Sequence, residues 1–289
     1  MIWAQIWQAL CLQAGYNAAL VSFGAALLGG AAGASGAFLI LRRRALMSDA
    51  MAHATLPGIG LAFLTMVALG GDGRFLPGLM LGAAVTAALG LWAVQRLSRQ
   101  MHEDAATGAV LASFYGAGIV LLTLIQGLGT GRPAGLETVL LGSTAGMLRA
   151  DAMVIGFGGL AVGGALWVLR RPLAMVAFDP VHAGLMGINP RRMDALLMAL
   201  VLGVVLVGLN VTGLILIVAL LVTPAVTARL WSGTVAGTAT LAAALGAACG
   251  YLGAAISAGV PDLPTGPVIV LLAAAAFGLS LLVRARADG

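Results

Sequence analysis

From Asn17 to Val283 the chain is a succession of apolar runs of about twenty residues, each closed by a short polar break. Twenty helical residues at ~1.5 Å each match a hydrocarbon core ~30 Å thick. Inside lipid every backbone N–H and C=O must be satisfied within the protein, so only helices and closed barrels cross. A barrel strand would alternate apolar and polar residues over about ten positions. These runs are continuous and twice as long. The composition agrees, with 61% apolar and 9% charged residues, so the expected fold class is an all-α polytopic membrane protein.

Residues 2–15 carry Trp3 and Trp7 four positions apart, an arrangement suited to a membrane interface, but they are too few to span. Met1–Gln5 has neither a basic segment nor a clear cleavage site and is expected to stay in the mature protein. Spans are expected at about 17–41, 45–69, 76–94, 105–125, 152–169, 194–209, 212–230, 234–257 and 267–283. That makes nine, or eight if the halves flanking Asn210-Val211-Thr212-Gly213 form one bent helix. Gly29 and Gly33 stand at a spacing that permits close helix packing. The glycine-rich connection 126–150 is long for a plain loop and has room for a short or re-entrant helix. The whole chain, 1–289, reads as one transmembrane domain without an internal repeat.

The basic residues set the orientation. All fifteen are arginines. Twelve fall in one set of loops (Arg42, Arg43 and Arg44 to Arg284 and Arg286), and three, Arg74, Arg132 and Arg149, in the other. The richer set is expected in the cytoplasm, which puts the N-terminus outside and the C-terminus inside. The net charge of +5 therefore reflects topology and gives no reason to expect a nucleic-acid partner. With no lysine the chain lacks the residue that a Walker A loop places on ATP phosphates. Cys11 and Cys249 are far apart and outside any zinc spacing.

Against this background Asp49 and His53 stand out, an acid and an imidazole inside an apolar run. A charge at the bilayer centre costs ~2.5–3.5 kcal/mol on insertion scales. Four residues apart on a helix, the two side chains share a face. They would offer an oxygen and a nitrogen to one cation. A mutually satisfied packing pair accounts for them equally well. With Ala45 at the cytoplasmic boundary, Asp49 would lie ~6 Å and His53 ~12 Å into the membrane, approaching its midplane. Pro57 has no N–H for the His53 carbonyl.

A second informative stretch follows the fifth span, Phe178-Asp179-Pro180 to Gly187-Ile188-Asn189-Pro190. Asp179 suits an N-cap, Pro180 the first helical position and Gly187 the stop. A short helix on the cytoplasmic face is expected, with Phe178, Leu185 and Met186 available to a partner, or else lying flat on the interface. In the seventh span Pro224 leaves the Leu220 carbonyl without its helical donor, at a kink or facing a cavity. Thr265 or Gly266 would cap the last span, with Pro267 at its start.

Taken together these segments resemble, in collinear order over nearly the whole chain, the permease subunits of bacterial zinc/manganese/iron ABC importers. The most specific match is Arg44-Ala45-Leu46-Met47-Ser48-Asp49-Ala50-Met51-Ala52-His53-Ala54-Thr55-Leu56-Pro57-Gly58-Ile59-Gly60. Glu103-Asp104-Ala105-Ala106-Thr107-Gly108, Leu141-Gly142-Ser143, Phe178-Asp179-Pro180 with Gly187, Gly213 through Pro224, and Leu263-Pro264-Thr265-Gly266-Pro267 add to it.

The resemblance implies a type II ABC importer-like permease that works in the bacterial inner membrane as a homodimer. Its partners would be a cytoplasmic ABC ATPase, a periplasmic or lipid-anchored metal-binding protein, a second copy of itself and membrane lipid. It would be no enzyme and keep no permanently bound cofactor. ATP would sit on the partner, and the divalent metal, zinc or manganese and less directly iron, would be cargo. By motif, Asp49 and His53 would contact the metal in transit, and two copies would supply two oxygens and two nitrogens. Phe178, Asp179, Pro180 and Gly187, within 178–188, would couple to the ATPase. Pro57, Asn210, Thr223 and Pro224 are candidates for lining or gating the path. Two other readings stay open: a secondary transporter coupled to protons or sodium through Asp49, and a scaffold that transports nothing.

Overall fold

The computed structural model describes residues 7–13, 15–71, 73, 75–127, 149–260 and 263–287. Its long elements are helices: α1 (Tyr16–Leu41), α2 (Ala45–Ala68), α3 (Leu76–Leu97), α4 (Glu103–Gly127), α5 (Arg149–Phe178), α6 (Pro180–Leu185), α7 (Pro190–Trp231), α8 (Val235–Gly259) and α9 (Thr265–Ala287). Among the described residues nine stretches are long and apolar enough to cross a membrane. α7 supplies two of them, 190–209 and 213–231, and α6 none. Trp3, the 128–148 part of the expected re-entrant region, and Pro261 and Asp262 of the outer loop lie outside the described residues.

One helix end differs from the expected one by more than four residues. The fifth span was expected to end at 169, yet α5 continues through Arg170, Arg171 and Pro172 to Phe178. The end of an apolar run marks where lipid ends, and a helix that reaches water need not stop there. The pair expected at 194–209 and 212–230 is present as two spans, 190–209 and 213–231. At Gly213, whose φ of 75° and ψ of 170° are open to glycine alone, the helix is broken and the chain turns back, so that a Cβ on Gly208 would collide with the Ile217 side chain.

The chain forms two compact units, residues 1–44 with 142–289, and residues 45–141. In the first, α1 packs against α5, α7 and α8. Its approach to α8 is backbone on backbone. A Cβ on Gly29 would collide with the Gly246 carbonyl, and one on Gly246 with that of Gly29. A small-residue core, Ala37, Ala225, Ala228 and Ala242, continues this seam towards α7. α1 stops where Arg43 turns left-handed (φ 57°) and the Arg44 N–H donates to the Leu39 carbonyl at 2.9 Å. At the start of α9, Ser257 Oγ meets both the Leu263 carbonyl (2.7 Å) and Thr265 Oγ1 (2.8 Å). In the second unit, α2 packs on α3 and on α4.

Candidate functional site

The level of the acid and the imidazole is fixed by how α2 is held. One turn beyond His53, Gly58 lies so near α3 that an added Cβ would collide with the Gly82 carbonyl and Thr86 Oγ1. On the other side Gly118 of α4 leaves no room for a Cβ against Leu56. Met47, Ala50, Met51 and Ala54 are buried around the pair. α2 stays helical through Pro57, itself buried.

His53 Nε2 stands 3.3 Å from Asp49 Oδ1, with the side chains 21% and 36% exposed. That spacing is just beyond the usual range of an N–H···O bond, 2.7–3.2 Å. It is close to the separation of two ligands on one tetrahedral ion: metal–nitrogen and metal–oxygen distances near 2.0–2.2 Å place N and O about 3.4 Å apart. The arrangement therefore fits both a loose acid–imidazole contact and two neighbouring positions on a tetrahedral divalent cation. The other ring nitrogen, Nδ1, is buried without a hydrogen-bond partner. Tyr115 of α4 meets the imidazole edge-on, ring centroids 4.9 Å apart and planes at 80°. Nothing in the sequence distinguished Tyr115, one more aromatic in an apolar run.

Among the described residues no group of three or more His, Cys, Asp or Glu side chains is close enough to hold a metal. The described residues thus bring together one carboxylate and one imidazole here, half the number of groups in a tetrahedral set.

In the first unit the 178–188 segment has the expected form. Asp179 Oδ1 accepts from the Val181 and His182 N–H groups, both at 2.9 Å. Pro180 opens α6, and Gly187 follows its end with φ 81°. Ala183 is buried, whereas Phe178, Val181, Leu185 and Met186 are between 64% and 83% exposed. The segment is anchored by one small residue and shows four large apolar side chains, two on α6 and one on either side of it. Phe178 is the last residue of α5, adjacent to this patch.

Behind it lies a cluster that sequence reasoning missed. Arg42 Nη2 bonds Asp194 Oδ2 at 2.7 Å, Arg42 Nη1 donates to the Val176 carbonyl at 2.6 Å, and Arg44 Nη1 reaches the same carboxylate oxygen at 3.4 Å. The ends of α1 and α5 and the start of α7, which frame α6, are tied together. As a signal, Arg42 was one of a run of cytoplasmic arginines, and a partner 152 positions away leaves no local trace.

Thr223 and Pro224 lie in α7 of the first unit, where Thr227 Oγ1 donates to the Thr223 carbonyl at 2.8 Å. Pro224 is buried. The side chain of Asn210 lies outside the described residues.

Residues 16–284 match the ABC 3 transport family. The chain is 36% identical over 268 residues to the manganese transport system membrane protein MntC of Bacillus subtilis, covering 92% of this chain and 60% of that protein. It is also 36% identical over 259 residues to the zinc transport system membrane protein TroC of Treponema pallidum, covering 89% and 85%. Among solved structures it superposes on PsaBC from Streptococcus pneumoniae, determined in complex with Fab. The TM-score is 0.80 at 30% identity, with 97% of this chain and 95% of that one covered.

Proposed function

The chain belongs to the ABC 3 transport family, and from that premise we propose that it is the membrane permease of an ATP-driven importer of divalent transition-metal ions. Zinc and manganese are the cargo of choice, because relatives are named for each metal. Carboxylate and imidazole together suit zinc, or manganese where water completes a larger shell. The observation that carries the reading is the 3.3 Å spacing of His53 Nε2 and Asp49 Oδ1 inside a membrane span. Two ligands at that spacing grip an ion without enclosing it, as a transit site that must release its cargo requires.

In this reading both units form one permease domain in the bacterial inner membrane, working as a homodimer, with the N-terminus outside and the C-terminus inside. A binding protein delivers the ion to the outer face. ATP is hydrolysed on separate cytoplasmic ATPase chains, and the exposed face of α6, with Phe178, seats on them. The Arg42–Asp194 cluster ties together the helix ends that frame α6, as coupling to an ATPase would require.

Asp49→Ala and His53→Ala variants, reconstituted with the ATPase and fed radioactive zinc or manganese, test the site. Uptake is expected to fall at least about tenfold, the lower end of what even outer-shell changes cost metal sites. Wild-type uptake in both variants would remove the pair from the path.

A further inference from the structure

A groove of about 670 Å³ in the first unit lies among α1, α5 and α8, and the transport reading makes no use of it. Small residues such as Gly30, Ala34, Gly163 and Ala243 line most of it. The helices run in register along its length. Gly159 lies beside Leu27 and Ala31, Arg42 reaches Val176, and Gly246 touches Gly29. One end is therefore formed by Ala26, Gly159 and Ala247, and the other by Phe38, Arg170, Arg171 and Val235. From Ala26 to Phe38 the groove is ~18 Å long, close to the ~15 Å depth of one lipid leaflet.

Its polarity is all at one end. Among the described residues no carboxylate pairs with Arg170 or Arg171. Arg170 Cζ stacks 4.6 Å over the ring of Trp167, itself 65% exposed. A tryptophan with arginines at the end of an apolar face marks headgroup level. Along the walls, the Thr240 hydroxyl is spent on the Ala236 carbonyl at 2.9 Å, so nothing but apolar contact is offered there. The positive N-terminal end of α8 adds to the field at the arginine end.

We propose that this groove holds an anionic phospholipid, its phosphate on Arg170 and Arg171 and one acyl chain along the small-residue walls. Charge complementarity selects the occupant. Two unpaired guanidiniums at headgroup level call for a phosphate, which they grip in bidentate fashion, and a furrow of leaflet depth without a free hydrogen-bonding group calls for a hydrocarbon chain.

The test is native mass spectrometry of the whole transporter taken from bilayers of equal phosphatidylglycerol and phosphatidylcholine. Wild type should retain phosphatidylglycerol preferentially. The double variant R170Q/R171Q should lower that preference at least about fivefold. Gly163→Phe, at a position where an added Cβ meets nothing within 4 Å, should fill the furrow and shed the lipid with both arginines in place. Wild-type retention in both variants would overturn the proposal. So would loss in the arginine variant alone, which would reduce the effect to surface attraction. If Gly163→Phe instead splits the permease dimer without changing bound lipid, a second copy covers the groove and the lipid is excluded.

Discussion

The two nitrogens of His53 have different surroundings, and the difference bears on how the site works. Nε2 faces Asp49, while Nδ1 is buried without a partner and the ring edge packs on Tyr115. A buried nitrogen without a hydrogen bond costs about 1–3 kcal/mol, and a rotation of the ring would exchange which nitrogen meets the carboxylate. Tyr115 opposes that rotation by shape alone, since its contact is ring to ring. Tyr115→Phe keeps the ring and should transport like wild type, whereas Tyr115→Leu should slow metal uptake several-fold with ATPase activity retained. Uptake assays on the two variants check this, and equal rates would remove Tyr115 from any positioning role. Asp49 and His53 were legible in the sequence because a charge in an apolar run is conspicuous. Tyr115 was not, since an aromatic in a lipid-length run is ordinary until its neighbour is known.

At the scale of elements, the spans were legible because hydropathy follows directly from the solvent. What the sequence blurred were the places where a helix and the membrane part company. α5 outruns its apolar stretch through Arg170–Pro172, and the two spans of α7 are separated by a break at 210–213, where the chain turns back. Gly213 absorbs that break in a conformation costing an L-residue about 1–3 kcal/mol. Gly213→Ala should lower the apparent melting temperature of the purified protein, followed by tryptophan fluorescence; an unchanged midpoint would mean that the bend relaxes freely. α6, by contrast, was legible to the residue, because caps and stops are local chemistry. Losing the Asp179 cap should cost about 1 kcal/mol, confined to six residues. Asp179→Ala should therefore leave global stability near wild type, speed amide exchange at Val181 and His182, and weaken ATPase stimulation by loaded binding protein. Normal stimulation with a frayed α6 would place the coupling surface elsewhere.

At the scale of the whole molecule, the metal site proposed at Asp49 and His53 would be an incomplete coordination set. One chain brings one carboxylate and one imidazole, and among the described residues no third ligand joins them. A lone pair of ligands holds zinc or manganese weakly, because hydration competes for every position left open. Two copies bringing the same pair to one ion would complete a tetrahedron from four protein groups, and dimerisation would then be part of the chemistry. The two cases differ in a number that can be counted. If copies share the ion, the assembled transporter, saturated and freed of loose metal, should hold one ion per two permease chains by elemental analysis. A mixed dimer of one wild-type and one Asp49→Ala/His53→Ala chain should then transport far below half the wild-type rate, since each site has lost half its ligands. One ion per chain, with the mixed dimer at half rate, would mean that each copy carries metal by itself and that the second copy serves only to close the path.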